Sequence, residues 1–147
     1  AADMLRYFGL GCRNVSKLFV PAGYDFTELL SITESFPGLS DHNKYRNNYD
    51  YQKSILLINK TEHLDSGNLL LTKNNSMSSP ISVVYFEEYV SPGHVSETLQ
   101  NSDGKIQCVV SGEKGIRGVI PFGKTQKPEL WDYADDMDIV LFLTGGN

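Results

Sequence analysis

The fold is organised around the stretch Gly9-Leu10-Gly11-Cys12-Arg13-Asn14-Val15-Ser16-Lys17-Leu18-Phe19-Val20-Pro21. It places one cysteine in a glycine-flanked turn, after a short apolar helix pattern and before a run of β-forming residues. A thiol in such a turn is held by regular structure on both sides and can still face a cleft. Nucleophilic catalysis needs this combination, since a loosely positioned thiol loses most of its proximity advantage. Cys12 is therefore a candidate nucleophile.

The alternative is that Cys12 has a structural role. Unpaired cysteine is among the most buried residue types and often behaves as a small apolar side chain. Its reactivity depends on the pKa and the exposure of the thiol, and neither follows from the pattern. Arg13 and Lys17 are the nearest cations in the sequence. They could lower the thiol pKa or be solvated or paired elsewhere, and the residues leave both alternatives open.

Outward from this stretch, apolar periodicity and turn residues predict helices that alternate with strands. Strands are expected over residues 17–21, 69–71, 81–86, 105–111, 119–122 and 139–143, and helices over residues 1–8, 26–36, 91–100, 128–134 and from Ser40 or Asp41 to about Asn59. Asp25 has the side chain of an N-cap for the helix at 26–36. The alternation, together with the near-continuous apolar run at 81–86, predicts an α/β fold with a mostly parallel sheet.

Several polar side chains are interpreted as structural. Tyr45 and Tyr49 share one helix face, and we expect them to pack there with their hydroxyls reaching water. Glu87 and Glu88 are adjacent on the predicted strand and so face opposite ways, which indicates a solvated strand end and not an acid–base pair. Cys108 alternates inward on its predicted strand, so we interpret it as a buried structural thiol.

The composition fits one globular domain of 147 residues. A hydrophobic fraction of 40% with 11% aromatic residues excludes a disordered chain. Thirteen Lys and Arg against 18 Asp and Glu give a formal charge of −5, which argues against nucleic-acid binding. The histidines His42, His63 and His94 are scattered without metal-ligand spacing, so no metal site is predicted.

The sequence also bounds the expected compartment. No run approaches the roughly 18 consecutive apolar residues of a membrane-spanning helix, and no leader of the signal-peptide type is present. We therefore expect a cytoplasmic protein without a membrane span, in which Cys12 and Cys108 are both reduced. The two cysteines are far apart in the chain and could pair only by an accident of the fold.

Two segments carry a resemblance to a known family. In the first, Cys12 is followed by Ser16, Lys17 and the run Leu-Phe-Val, as in the nucleophile segment of the aldehyde dehydrogenase superfamily. The second segment runs from Ile120-Pro121-Phe122-Gly123 to Trp131-Asp132-Tyr133-Ala134-Asp135. With weaker similarity over residues 42–59 and at Ser79-Pro80, the chain resembles the acyl-CoA reductase branch of that superfamily, the bacterial luminescence-type fatty acyl reductases.

This resemblance implies a fold and a domain organisation. The α/β fold would be the three-layer αβα arrangement of the aldehyde dehydrogenase catalytic domain. Residues 1–147 would form the cysteine-bearing catalytic portion of a longer protein, in which a nucleotide-binding domain precedes the cysteine. Gly9-Leu10-Gly11 does not replace that domain, because it neither follows a predicted strand nor continues as a dinucleotide-binding loop. The second segment carries no obvious chemistry, so we expect Trp131 to pack in a structural role.

The resemblance further implies an activity. Cys12 would attack an acyl-CoA or other acyl thioester, and the oxyanion would be held by its own backbone N–H and a second donor from elsewhere. The resulting acyl-cysteine would be reduced to the aldehyde by NADPH or NADH, which is bound mainly by the preceding domain, without a metal. This chain by itself would then acylate but not reduce. The resemblance leaves association into a homo-oligomer open.

One position departs from the superfamily pattern. The glutamate that holds the nicotinamide ribose falls on Ser76 here, so no cofactor-binding residue can be assigned by resemblance. This loss is compatible with a second interpretation, in which the domain keeps the fold for association or regulation without catalysis. The intact segment around Cys12 favours the enzyme.

Overall fold

A four-stranded sheet forms the centre of the molecule. In the computed structural model, which describes residues 1–102, 106–112, 119–133 and 137–145, its strands follow the order β1-β4-β3-β2. The strands are β1 (Lys17–Pro21), β2 (His63–Asp65), β3 (Leu70–Lys73) and β4 (Val83–Tyr89). β4 pairs in parallel with both β1 and β3, while β2 runs antiparallel to β3 at one edge. The expected α/β class with a mostly parallel sheet is confirmed.

Helices and a second small sheet complete the described structure. The helices are α1 (Ala2–Leu5), α2 (Thr27–Glu34), α3 (Asn43–Ile58), α4 (Pro92–Asn101) and α5 (Ile139–Leu143), and the second sheet pairs β5 (Val109–Val110) in parallel with β6 (Val119–Ile120). Leu70 and Leu71 are fully buried and point to opposite faces of β3. The sheet is therefore covered on both faces at its centre.

The first helix is shorter than expected over residues 1–8. α1 ends at Leu5, and the 3₁₀ turn Arg6–Gly9 follows. Within that turn Tyr7 and Phe8 have φ angles of 55° and 60°, which lie in the left-handed region. A right-handed α-helix cannot continue through residues with this backbone conformation. Gly9 follows with a φ of 72°, as expected for the residue that stops this segment.

The α2 helix shows the expected amphipathic face. The Asp25 carboxylate accepts hydrogen bonds from the Thr27 N–H at 2.9 Å and from the Thr27 hydroxyl at 2.6 Å. Phe26 and Thr33 are buried, and the partly buried Leu29 and Leu30 pack against the same core. Asp25 thus binds the first residue of the helix, but the N-cap is Phe26 and the helix is Thr27–Glu34, so the prediction of Asp25 as the N-cap of a helix over 26–36 was wrong.

The α3 helix is capped by a residue that the sequence interpretation did not name. The N-cap is His42, whose Nδ1 accepts a hydrogen bond from the Tyr45 N–H at 3.2 Å, so the expectation of Ser40 or Asp41 was wrong. The His42 ring is held in place by stacking on Phe8, with the ring centroids 4.0 Å apart. A ring nitrogen fixed in this way can replace the usual capping oxygen.

The two tyrosines of α3 pack as expected, but their hydroxyls bind protein groups instead of reaching water. The Tyr45 hydroxyl donates to the Asn68 carbonyl at 2.7 Å, and the Tyr49 hydroxyl donates to the Asp65 carboxylate at 2.5 Å. Burial, followed by the hydrogen bond to Asp65, raises the pKa of Tyr49 to about 12. Lys53 lies 2.7 Å from the same carboxylate, which joins α3 to β2.

The β4 strand begins and ends later than the expected range 81–86. Ser82 has a φ of 65°, and a turn bond from the Val83 N–H to the Pro80 carbonyl precedes the strand. At the other end the strand continues through Glu87 and Glu88, because each is paired with a lysine from a neighbouring strand. The pairs are Glu87 with Lys17 at 2.8 Å and Glu88 with Lys73 at 2.6 Å. The expectation of a strand end at Glu87 and Glu88 was therefore wrong, although the Glu88 pair is still exposed to solvent.

The C-terminal elements depart furthest from expectation. Of the strand expected at 105–111 the structure has β5, and of the strand expected at 119–122 it has β6; residue 105 lies outside the described residues. Residues 128–133 are not helical, residue 134 lies outside the described part, and Trp131 is 70% exposed, so its expected packing is wrong. The apolar run 139–143 is the helix α5 and not a strand, because the Asp138 carboxylate caps it by accepting from the Leu141 N–H at 2.9 Å.

Candidate functional site

The turn that carries Cys12 is closed by backbone hydrogen bonds. The Asn14 N–H donates to the Gly11 carbonyl at 2.9 Å, and the Val15 N–H donates to the Asp3 carbonyl at 2.8 Å. Among the described residues no acceptor takes the Cys12 N–H. That N–H is therefore a candidate donor to an oxyanion formed at the cysteine.

Asn14 holds this turn against the first helix. Its side-chain amide donates to the carbonyls of Met4 and Arg6, both at 3.0 Å, and its side-chain oxygen accepts from Gln126 Nε2 at 3.2 Å. A Cβ at Gly11 would lie 2.9 Å from Gln126 Oε1 and still closer to the Asn14 side chain, so a larger residue there would displace these two side chains. Because the Asn14 amide is used in this way, it is a positioning group and not a second oxyanion donor.

A cleft of about 200 Å³ lies beside the turn. Cys12 lines it and is exposed. The cleft is also lined by buried apolar side chains, by polar residues of the turn, and by the segment that leads into β4; these residues are Met4, Leu5, Leu69 and Val84, then Asn14 and Ser16, and then Ser78 to Val83. The exposed thiol thus lies at a cleft that is apolar in part and rich in hydroxyl groups in part.

Several of the polar groups along the cleft are occupied by internal hydrogen bonds. The Ser16 hydroxyl donates to the Met77 carbonyl at 3.0 Å, and the Ser79 hydroxyl donates to the Val83 carbonyl at 2.6 Å. Within the described residues no His, Asp, Glu or Lys side chain lines the cleft. A general base for the thiol is therefore not supplied from this cleft, and the proton must pass to solvent.

The two cations near the cysteine are paired. Lys17 binds Glu87 and the Asn74 carbonyl, and its side chain is only 6% exposed. The Arg13 guanidinium lies 3.5 Å from the Asp132 carboxylate and is 11% exposed. The sequence left open whether Arg13 and Lys17 act on the Cys12 thiol or are paired elsewhere. In the structure both are paired with carboxylates.

Cys108 lies next to the cysteine turn. Its Sγ donates to the Arg13 carbonyl at 3.8 Å, and the residue is partly buried. Burial raises the pKa of the Cys108 thiol; the Arg13 charge opposes this rise, and the charges of Asp3 and Cys12 add to it. Cys108 is only partly buried, so the expectation of a buried thiol is met in part. The contact of Cys108 with the residue after Cys12 has no signal in the sequence.

Asp3 is a second residue that sequence reasoning missed. Its carboxylate accepts from the Gly123 N–H at 2.6 Å and from the Thr125 N–H and hydroxyl at 3.3 and 2.9 Å. Thr125 is fully buried. These bonds fix the segment that carries Gln126 against the cysteine turn. The position of Asp3 in the first helical turn does not predict a partner as distant in the chain as Thr125.

Ser76 lies outside the cleft. It is exposed, its N–H donates to the Asn74 side chain at 2.8 Å, and its hydroxyl donates to the Ser78 carbonyl at 3.1 Å. Neither this loop nor the cleft residues include a carboxylate that could bind a ribose. Over the described parts of the chain, no group of three or more His, Cys, Asp or Glu side chains is placed to hold a metal ion.

Two general findings, on membrane spans and on similarity to known proteins, complete the description. None of the helices within the described residues is both long and apolar enough to cross a membrane. Comparisons with protein-family models, with curated proteins and with solved structures find no match to this chain.

Proposed function

We propose that this chain carries the nucleophile of an acyl-CoA reductase, with Cys12 attacking the thioester of a fatty acyl-CoA. The observation that supports the proposal best is the exposed Cys12 thiol in a glycine-flanked turn at a partly apolar cleft. The apolar lining suits an acyl chain, and the exposed thiol can meet a thioester that enters from solvent. The resemblance of the residues around Cys12 to an acyl-CoA reductase supplies the reaction type.

The acylation step follows from the groups present. The Cys12 thiolate forms a bond to the thioester carbonyl carbon, and the negative charge moves to the carbonyl oxygen. The Cys12 N–H, which has no acceptor among the described residues, donates to that oxygen. The bond to coenzyme A then breaks, coenzyme A leaves as a thiolate that takes a proton from solvent, and an acyl-cysteine remains.

The absence of a base from the cleft determines the expected pH dependence. With no His, Asp, Glu or Lys side chain lining the cleft within the described residues, solvent accepts the thiol proton. The pH dependence of the acylation rate should then lack the bell-shaped profile that an acid–base pair in the cleft would produce.

A nicotinamide cofactor does not fit the residues of this cleft. No carboxylate that could bind the nicotinamide ribose is among the residues that line the cleft, and Ser76 stands where the resemblance places the glutamate. We therefore derive no reduction step from these residues. In the proposed enzyme NADPH or NADH is held mainly by a nucleotide-binding domain.

The finer architecture belongs to the same proposal. The α/β arrangement would be the three-layer αβα catalytic domain of the aldehyde dehydrogenase fold, working in the cytoplasm. Burial of both faces of β3, at Leu70 and Leu71, supports layers on either side of the sheet.

The proposal is tested by incubating the chain with a long-chain acyl-CoA and measuring its intact mass. We expect single acylation, which is abolished in Cys12→Ala and retained in the matched variant Cys108→Ala. Acylation of Cys108, or equal labelling of the Cys12→Ala variant, would contradict the assignment of the nucleophile.

A second candidate function is supported by a different observation. Leu130 and Trp131 are 93% and 70% exposed, and every residue of α5 is more than half exposed, as at surfaces that contact other proteins. A domain that acts in association or regulation would not need a reactive thiol. Iodoacetamide distinguishes the two functions: a nucleophilic Cys12 reacts much faster than Cys108 near neutral pH, whereas a non-catalytic domain leaves both cysteines slow.

A further inference from the structure

Cys108 contacts the residue next to Cys12 although the two cysteines are distant in sequence. The Cys108 sulfur contacts the carbonyl of Arg13, the residue that follows Cys12, at 3.8 Å. The charge of Cys12 is also close enough to raise the pKa of the Cys108 thiol. The contact places Cys108 within one residue of the proposed nucleophile.

The two thiols differ in their access to solvent. Cys12 is exposed, whereas Cys108 is partly buried and immediately precedes β5. An oxidant in solution therefore meets Cys12 first, and Cys108 contacts the residue that follows Cys12. An exposed thiol with a second thiol next to it is the arrangement of cysteines that are oxidised reversibly through a resolving partner.

We propose that Cys12 and Cys108 form a peroxide-sensitive thiol pair, in which oxidation closes a disulfide that blocks Cys12. The loss of activity that follows rests on the proposed function of Cys12. Formation of the disulfide does not depend on that function. The oxidant is a hydroperoxide, which the cell and not this chain supplies.

The chemistry proceeds in two steps. The Cys12 thiolate attacks one peroxide oxygen, the O–O bond breaks, and hydroxide leaves and takes a proton, so that Cys12 becomes a sulfenic acid and water is released. The Cys108 sulfur then attacks the Cys12 sulfur, and the sulfenic oxygen leaves as a second water with the Cys108 proton. Two thiols and hydrogen peroxide give one disulfide and two waters, and the peroxide is reduced by two electrons.

The local structure allows the turn to adjust. A disulfide needs Cβ atoms about 3.5–4.5 Å apart. The turn is held by the Asn14 N–H bond to Gly11, by the Val15 N–H bond to Asp3 and by the Asn14 side chain. The Cys12 N–H carries no hydrogen bond within the described residues, so the freedom to adjust lies at Cys12 itself. Cys108 is adjacent to a strand that is paired with β6. The movement is therefore assigned to the Cys12 turn and not to Cys108.

The test treats the full chain with hydrogen peroxide near neutral pH and follows intact mass and non-reducing peptide maps. We expect a monomer that loses two hydrogen atoms in mass and yields a peptide joining Cys12 to Cys108. Dithiothreitol should restore the original mass. The Cys108→Ser variant should instead accumulate a sulfenic acid at Cys12, trapped by dimedone, and the Cys12→Ser variant should form no linked peptide.

Other results would overturn the proposal. These are an equal dimedone yield in the unmodified chain and in Cys108→Ser, a disulfide found only between two chains, or oxidation that spares Cys12. Acylation of the reduced chain by a long-chain acyl-CoA is measured in parallel. Failure of acylation alone rejects the proposed function, and failure of the linked peptide alone rejects the thiol pair.

Discussion

Two regions of the molecule differ in how far their apolar side chains are buried. The sheet region is residues 1–89, and the C-terminal region is the described residues from 106 to 145. The sheet region contributes every member of the buried hydrophobic core, from Met4 to Val84. In the C-terminal region, Phe122, Leu130, Trp131 and all five residues of α5 are more than half exposed. Apolar residues become core only where a second apolar face covers them, and the alternating strands and helices of the sheet region provide that face.

A buried polar contact joins the two regions. The Asp3 carboxylate binds the N–H groups of Gly123 and Thr125 and the Thr125 hydroxyl. Hydrogen bonds to a charged group in a buried position are among the stronger ones in proteins. The C-terminal region is thus attached to the cysteine turn by directed polar bonds, whereas the sheet region is held by apolar packing.

The largest expected effect comes from breaking the core of the sheet region. Leu71 is fully buried in the main hydrophobic cluster, so Leu71→Ala removes apolar contacts and leaves a cavity. We expect the free energy of unfolding to fall by about 2–5 kcal/mol, as measured by urea denaturation followed by circular dichroism. A loss below about 1 kcal/mol would mean that the core is not centred on β3.

A smaller and more local effect is expected from the contact between the regions. Asp3→Asn keeps the shape of the side chain but turns an acceptor into a donor that faces other donors. We expect a loss of about 1.5–3 kcal/mol, with hydrogen exchange accelerated more at Gly123 and Thr125 than at Leu71. The matched control is Asp50→Asn, whose exposed pair with Arg46 contributes at most about 1 kcal/mol. Equal acceleration at all three amides would contradict a local role for Asp3.

The smallest effect is expected at the exposed indole. Trp131 is 70% exposed, so Trp131→Ala should change the free energy of unfolding by no more than about 0.5 kcal/mol. The fluorescence of this single tryptophan should also be readily quenched by acrylamide. A loss comparable to that of Leu71→Ala would show that the C-terminal region packs as tightly as the sheet region.

Local patterns were sufficient for much of the sheet region. The range 17–21 is predicted as a strand and is β1, Asp25 binds the N–H of the first α2 residue although Phe26 is the N-cap, and Pro92 begins α4 in the expected place. Each of these features depends on neighbours within a few residues, on apolar periodicity or on a capping side chain. The same kind of local signal, the glycine-flanked turn, identified Cys12 as a candidate nucleophile.

Local patterns failed where an element depended on a partner. The apolar run 139–143 suits a strand or a helix, and it is a helix because Asp138 caps it and no described strand lies alongside. From the sequence alone, Glu87 and Glu88 resemble the solvated end of a strand. In the structure β4 is paired on both sides, which brings Lys17 and Lys73 next to them. A short apolar run can form a strand or a buried helix, and its pattern does not distinguish them. The elements that pack against it in the fold decide which one forms.

The sequence by itself determined the α/β class, the mostly parallel sheet and the cysteine in its turn. Tertiary structure alone decided the cleft beside that turn, the attachment of Asp3 to Thr125 and the contact of Cys108 with Arg13. The physical reason is the range of the interactions. Periodicity and caps act over a few residues, whereas these contacts join residues about a hundred positions apart, and only the packed sheet and its loops set which distant groups meet.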